Sequence, residues 1–308
     1  MLKVGVQSAG WYDRNDPLGS FTYIKERGFE AVDFNIDHYM NTKKLVEEGI
    51  YPTVFDKPVE EVLEEFRPLK EASEQTGVEI CQMHAPFPVW FEGEEKVNEH
   101  ILMALDKCFA ICEYLGCPAV VVHPVRGETK EEEMELNLSL YRKMIPLIQK
   151  YKGVKICTEN IFSRRAGLII EGRLSHAAEI CRLLDQLNAE AGGDYFGCCL
   201  DIGHANLTHH NVRQFVLELG KYLTILHVHD NNGAEDQHVI PYTCLANATE
   251  HICDWEGFVT GLKEIGYNGA IAFETFRIFR MFPKAVHKKA LELVSAIGHY
   301  WVDLIEEK

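Results

Sequence analysis

Apolar runs of strand length alternate with longer amphipathic segments from one end of this chain to the other, and few folds accept that pattern. Strands are predicted at 3–8, 31–36, 78–84, 119–123, 154–158, 196–200, 223–228 and 270–273. Helices are predicted near 21–27, 59–75, 94–115, 175–188, 212–219, 254–265 and 283–304, and over about twenty residues from Thr129. Gly28 and Gly116 stop two of these helices, and Thr129-x-x-Glu132 has the form of a capping box. The later strands are almost wholly apolar, as parallel strands buried on both faces must be. Eight βα units without a linker-like tract point to an α/β fold: a single (β/α)8 TIM barrel over 1–308. A doubly wound open sheet is the alternative, but no Gly-x-Gly-x-x-Gly follows the first strand.

What ends each strand is the chemical signal. Strand three ends in His84, four in His123, five in Glu159-Asn160, and six in Asp201 with His204 just beyond. Strand seven carries His227 and His229-Asp230, and strand eight ends in Glu274. In a parallel barrel all these ends open on one face, where active sites of this fold sit. One histidine or one carboxylate at a strand end is ordinarily a core residue or a helix cap. Six successive strands that each deliver such a group are not explained that way.

Glu159, Asp201 and Glu274 would then converge in a partly dehydrated cup, where like charges raise one another's pKa and oppose folding. No lysine lies on those strand ends, so a divalent cation is the expected compensating charge. Glu159, Asp201, His227 and Glu274 are the candidate metal ligands. His84, His123 and His204 are candidates for additional roles in the site, and Asp236-x-His238 lies in the loop after strand seven. Mixed imidazole and carboxylate ligands suit zinc, manganese, iron or cobalt better than magnesium.

Composition narrows the partners. Against 31 basic side chains stand 47 acidic ones, a net charge of −16, so a nucleic-acid partner is disfavoured. No apolar stretch is long enough to span a membrane, and the N-terminus runs straight into a strand pattern without a signal-peptide core. The ten cysteines are spread without a Cys-x-x-Cys pair and read as reduced thiols of a cytoplasmic protein. Cys108 and Cys112, one helical turn apart, read as packing. Self-association into a homo-oligomer stays open.

Other features read as structure. Trp11, Phe87, Trp90 and Phe91 follow strands one and three, where they either wall a pocket or pack. Glu131-Glu132-Glu133 reads as a solvated helix face. His209-His210 has no partner at ligand spacing and reads as exposed. Arg164, Arg165 and Arg173 follow strand five and read as an exposed loop.

The series Met83-His84-Ala85-Pro86, Val122-His123-Pro124, Thr158-Glu159-Asn160, Leu200-Asp201-Ile202-Gly203-His204, Leu226-His227-Val228-His229-Asp230, Asp236-Gln237-His238 and Phe273-Glu274-Thr275 resembles the xylose isomerase-like barrels. The likeness spans nearly the whole chain in order and spacing. It implies one divalent ion on Glu159, Asp201, His227 and Glu274, with Glu159 and Glu274 as the acid/base pair and His204 near the substrate oxygens. A sugar or sugar-phosphate isomerase or epimerase is the implied activity, with a small carbohydrate as substrate. The series also resembles the endonuclease IV branch, which carries three zinc ions; His84, His123, Glu159, Asp201, His204, His227, Asp236, His238 and Glu274 match its ligands. A keto-inositol-type dehydratase is a third implied activity. Where the family often has a Gly-rich turn after Asp-x-His, this chain has Pro241-Tyr242-Thr243-Cys244-Leu245-Ala246-Asn247, so that loop is expected to be reshaped.

Overall fold

The computed structural model of the chain describes residues 1–307. The described residues form ten strands: β1 Lys3–Gln7, β2 Ala31–Asn35, β3 Glu79–His84, β4 Ala119–Val121, β5 Lys155–Glu159, β6 Phe162–Arg165, β7 Leu168–Glu171, β8 Phe196–Asp201, β9 Leu223–His227 and β10 Ala270–Phe273. Eight of them form one parallel sheet in the order β10-β1-β2-β3-β4-β5-β8-β9. The ring closes just beyond β9, where Val228 bridges Phe273. There Val228 N donates to Ala272 O at 2.9 Å, and Glu274 N donates to Val228 O at 3.0 Å. The expected (β/α)8 TIM barrel is therefore the architecture of this chain.

The barrel's interior explains where the chemistry falls. Ala119, Val121, Cys157, Cys199 and Ile225 form a small buried cluster separate from the main core. Four of these stand two residues before a mouth residue: Val121 before His123, Cys157 before Glu159, Cys199 before Asp201 and Ile225 before His227. Side chains of a strand repeat with period two, so the apolar plug and the polar mouth share one face of the sheet. Gln82, also buried, spans this interior and donates to Leu226 O at 3.1 Å. All ten cysteines are free thiols, and Cys112 packs on Met83.

Three local departures from the predicted elements have clear causes. The expected helix over 59–75 is two helices, Val59–Glu65 and Arg67–Thr76, because Pro68 has no N–H to continue the first. The segment after β5 is a β-hairpin, β6 paired antiparallel with β7, where a loop was predicted. Only half of the capping box forms: Thr129 accepts from Glu132 N at 3.2 Å, while the Glu132 carboxylate turns to Glu128 N at 2.7 Å.

Candidate metal centre

Glu159, Asp201, His227 and His84 are the last residues of β5, β8, β9 and β3, and Glu274 directly follows β10. Asp201 also accepts from His204 N at 2.7 Å, capping the short helix Ile202–Leu207 and aiming His204 back into the mouth. One donor atom each from Glu159, Asp201 and His227 lies within 4.8 Å of the others. Glu274 joins them through His227, whose Nδ1 is 3.5 Å from Glu159 Oε1 and 3.8 Å from Glu274 Oε2. His84 Nε2 is 3.1 Å from Glu274 Oε1, and His123 Nε2 is 2.9 Å from Glu159 Oε2.

The loop beyond β9 carries Asp236 and His238 into the same mouth despite its altered turn. His238 Nε2 is 3.0 Å and His204 Nε2 3.9 Å from Asp236 Oδ2. His238 takes a left-handed φ of 47°, and its Nδ1 sits 3.1 Å from Glu274 O. Glu159, His84, His123, His204, Asp236, His238 and Glu274 line a cavity of about 560 Å³, walled by Phe87, Phe162 and Phe276, with Arg280 at its rim. That volume is typical of small-ligand sites.

In the electrostatics of the mouth, carboxylates and imidazoles hold one another charged against burial. Burial would raise the Glu159 carboxyl, yet the His123 and His227 imidazoles outweigh it and hold the group well below the usual range. Glu274 is lowered in the same way, against its own burial, by His227 and His84. Burial would in turn lower the histidines, but neighbouring carboxylates hold His84, His204 and His227 above the ordinary imidazole value. Asp201 holds His229 up at about 9 against the same burial.

The mouth nevertheless leaves polar atoms stranded. Both nitrogens of His227, Asp33 Oδ2, His123 Nδ1 and Asp236 Oδ1 are buried without a hydrogen-bond partner among the described residues. Buried polar groups in native proteins are almost always satisfied, and an uncompensated one costs about 1–3 kcal/mol. A mixed set of buried carboxylate and imidazole atoms pointing at one another fits a divalent ion of the zinc or manganese kind.

Asp33 and Gln7 belong to no motif in the sequence, and His229, noted at the end of strand seven, is given no site role there. Asp33 lies within the apolar run of β2 and pairs with His84 Nδ1 at 2.9 Å; a lone acid inside a buried strand was its only signal. His229, two residues after His227, contacts Asp201 Oδ1 at 3.1 Å and stacks on His238 at 3.9 Å. Gln7, the last residue of β1, donates to Glu274 Oε1.

Of the features read as structural, Phe87 reaches the mouth, 4.5 Å from His123. Trp11 packs on Phe21, and Trp90 sits under Lys143 away from the cavity. Arg164 and Arg165 are exposed, but on the β6–β7 hairpin, while Arg173 is half-buried and donates to Pro124 O at 3.3 Å. Glu133 corrects the solvated-face reading: it is buried and accepts from Leu174 N at 3.2 Å. His210 corrects the exposed reading: it is half-buried and packs against His176 and Phe215.

Comparison with known proteins agrees with this architecture. Residues 21–297 match the family model described as xylose isomerase-like TIM barrel. An uncharacterized protein of Methanocaldococcus jannaschii is 28% identical over 308 residues, covering 95% of this chain and 94% of its own. Another, from Sinorhizobium fredii, is 26% identical and covers 86% and 82%. Among solved structures, a D-tagatose 3-epimerase-like protein superposes with a TM-score of 0.70 at 22% identity, over 99% of both chains. The 3-keto-D-glucoside 4-epimerase of E. coli does so at 0.68 and 17%, covering 96% of this chain and all of its own. L-ribulose 3-epimerase gives 0.70 and 14%, covering 100% and 96%. With a family match across most of its length and a mouth built from the strand ends of a closed barrel, the chain belongs to the xylose isomerase-like TIM barrels.

Proposed function

We propose that this protein is a divalent-metal-dependent isomerase or epimerase acting on a sugar, sugar phosphate or related ketone. The observation that carries the reading is the pair Glu159 and Glu274, buried carboxylates that line one sugar-sized cavity and flank His227, whose ring nitrogens lack hydrogen-bond partners. The sugar epimerases among the structural neighbours support the same class.

Glu159, Asp201, His227 and Glu274 would hold the ion. When bound, it supplies electrostatic stabilisation for the negative charge that develops when a carbon beside a carbonyl loses its proton. The residues divide the remaining work. One of the two glutamates takes the proton and the other returns one, which inverts the centre when the two approach opposite faces of the sugar. Gln7 and His84 fix Glu274 through its Oε1, while His123 and His204 hold Glu159. His204 and His238 at the mouth meet the substrate hydroxyls, and the three phenylalanines exclude water.

The test is solvent-proton exchange. In D2O the metal-replete enzyme is expected to place deuterium on the carbon beside the carbonyl of a ketose from a panel of free and phosphorylated sugars. Glu159→Gln and Glu274→Gln should each lower that rate by about 10²–10⁴-fold. Exchange that survives both substitutions would reject the assigned roles. Product mass separates a keto-inositol-type dehydratase, which loses water, from an isomerase, which does not.

One observation favours a second reading, a zinc-dependent phosphodiesterase: Asp236, His204 and His238 gather beside the ligand set. That reading requires about three ions per chain and DNA binding that weakens steeply with salt. A single ion at the barrel mouth would dispose of it.

A further inference from the structure

The β6–β7 hairpin ends at Glu171, and five residues later His176 occupies the N-cap position of the helix Ala177–Ala191. His176 makes no capping bond; its Nε2 lies 2.9 Å from Glu171 Oε2 instead. His210 arrives from a third element, the turn between the helices Ile202–Leu207 and Val212–Leu219. His209 before it adopts a left-handed φ of 60°, and His210 N donates to Ala205 O at 3.0 Å, so the turn is held firmly. The His176 and His210 rings stand nearly perpendicular at 4.7 Å between centroids.

One donor atom from each of Glu171, His176 and His210 lies within 4.8 Å of the other two. His210 Nε2 is buried and has no partner among the described residues. Tetrahedral coordination at about 2.0–2.2 Å places ligand atoms about 3.4 Å apart, so a contraction of at most about 1.4 Å closes the three on an ion. Glu171 and His176 are half-exposed, which leaves the fourth position to water.

We propose that Glu171, His176 and His210 form a second, peripheral metal site for a borderline divalent ion, Zn²⁺ foremost. Two imidazoles and one carboxylate select that class over Mg²⁺ or Ca²⁺, which prefer oxygen. The site ties two walls of the mouth together. Glu171 pairs across the hairpin with Phe162, whose ring lies 5.1 Å from His204. His210 hangs from Ala205, the residue after His204. Loading the site pins the hairpin to the helix that carries His204 and so steadies the cavity wall. The proposal rests on these three residues and is independent of the chemistry assigned to the barrel mouth.

The test is Zn²⁺ equilibrium dialysis with elemental analysis on the full chain, carried out in pairs. Wild type should hold one equivalent more than His210→Asn. A His227→Ala protein should show the same one-equivalent difference from His227→Ala/His210→Asn, which separates this site from the mouth. Because His210 packs on Phe215, the exposed Glu171→Gln is measured alongside and should weaken the same equivalent at least about tenfold. Equal Zn²⁺ content in wild type, His210→Asn and Glu171→Gln would overturn the proposal.

Discussion

At the scale of single residues, the mouth is a set of mutual dependences rather than independent side chains. Gly203 illustrates this: a Cβ there would fall 1.9 Å from His229 Cε1. Gly203→Ala must push His229 off Asp201, and supporting partners of metal ligands are worth about 10–100-fold in affinity. We expect Gly203→Ala to lower metal affinity by at least about tenfold in a calorimetric titration. Unchanged affinity would mean that His229 does not position Asp201. His229 also gives a pH signature. Its folded pKa of about 9 exceeds its ordinary value near 6.5, so the stability it contributes is complete below about pH 6.5. That contribution is lost as pH rises through about 9 and is on the order of 3 kcal/mol. Metal-free protein should therefore be less stable to urea at pH 9.5 than at pH 7. Buried thiols with raised pKa, such as Cys199, push the same way. The difference between wild type and His229→Asn isolates the imidazole, and identical slopes would contradict the assignment.

At the scale of elements, the barrel strands were readable because apolar runs and their polar ends obey one period. The same period carried Glu159, Asp201, His227 and Glu274 to one rim, since each ends or directly follows its strand. What stayed hidden depends on tertiary placement. The β6–β7 hairpin carries only a three-residue apolar run, Leu168-Ile169-Ile170, and its residues are mostly exposed. His210 meets His176 only because separate loops converge, and Glu133 is buried by a neighbouring loop rather than by its own helix. Asp236 and His238 depend on a loop conformation in which His238 takes a positive φ. The hairpin carries its own expectation. Phe162 walls the cavity but is only half-buried, so Phe162→Ala should raise KM for the ketose about two- to tenfold with little change in the unfolding midpoint. A large loss of stability without a KM change would make the hairpin a structural strut instead.

At the scale of the whole molecule, the barrel is sealed where its last strand meets its last helix. Trp301 on the helix His287–Glu306 is fully buried, stacks on Phe273 of β10 and on Trp255, and donates to the Tyr242 hydroxyl at 2.7 Å. Trp301→Ala removes that packing and should cost about 3–5 kcal/mol in urea unfolding. A cost under about 1 kcal/mol would mean that closure is held elsewhere. The closed ring is what gathers polar groups from strands scattered through the sequence, and the buried atoms left without partners call for a cation. Crystals grown with saturating Mn²⁺ and measured for anomalous scattering address that directly. The expected result is a peak at coordination distance from Glu159, Asp201, His227 and Glu274 together; a mouth with no peak, its four side chains turned apart, would contradict the account.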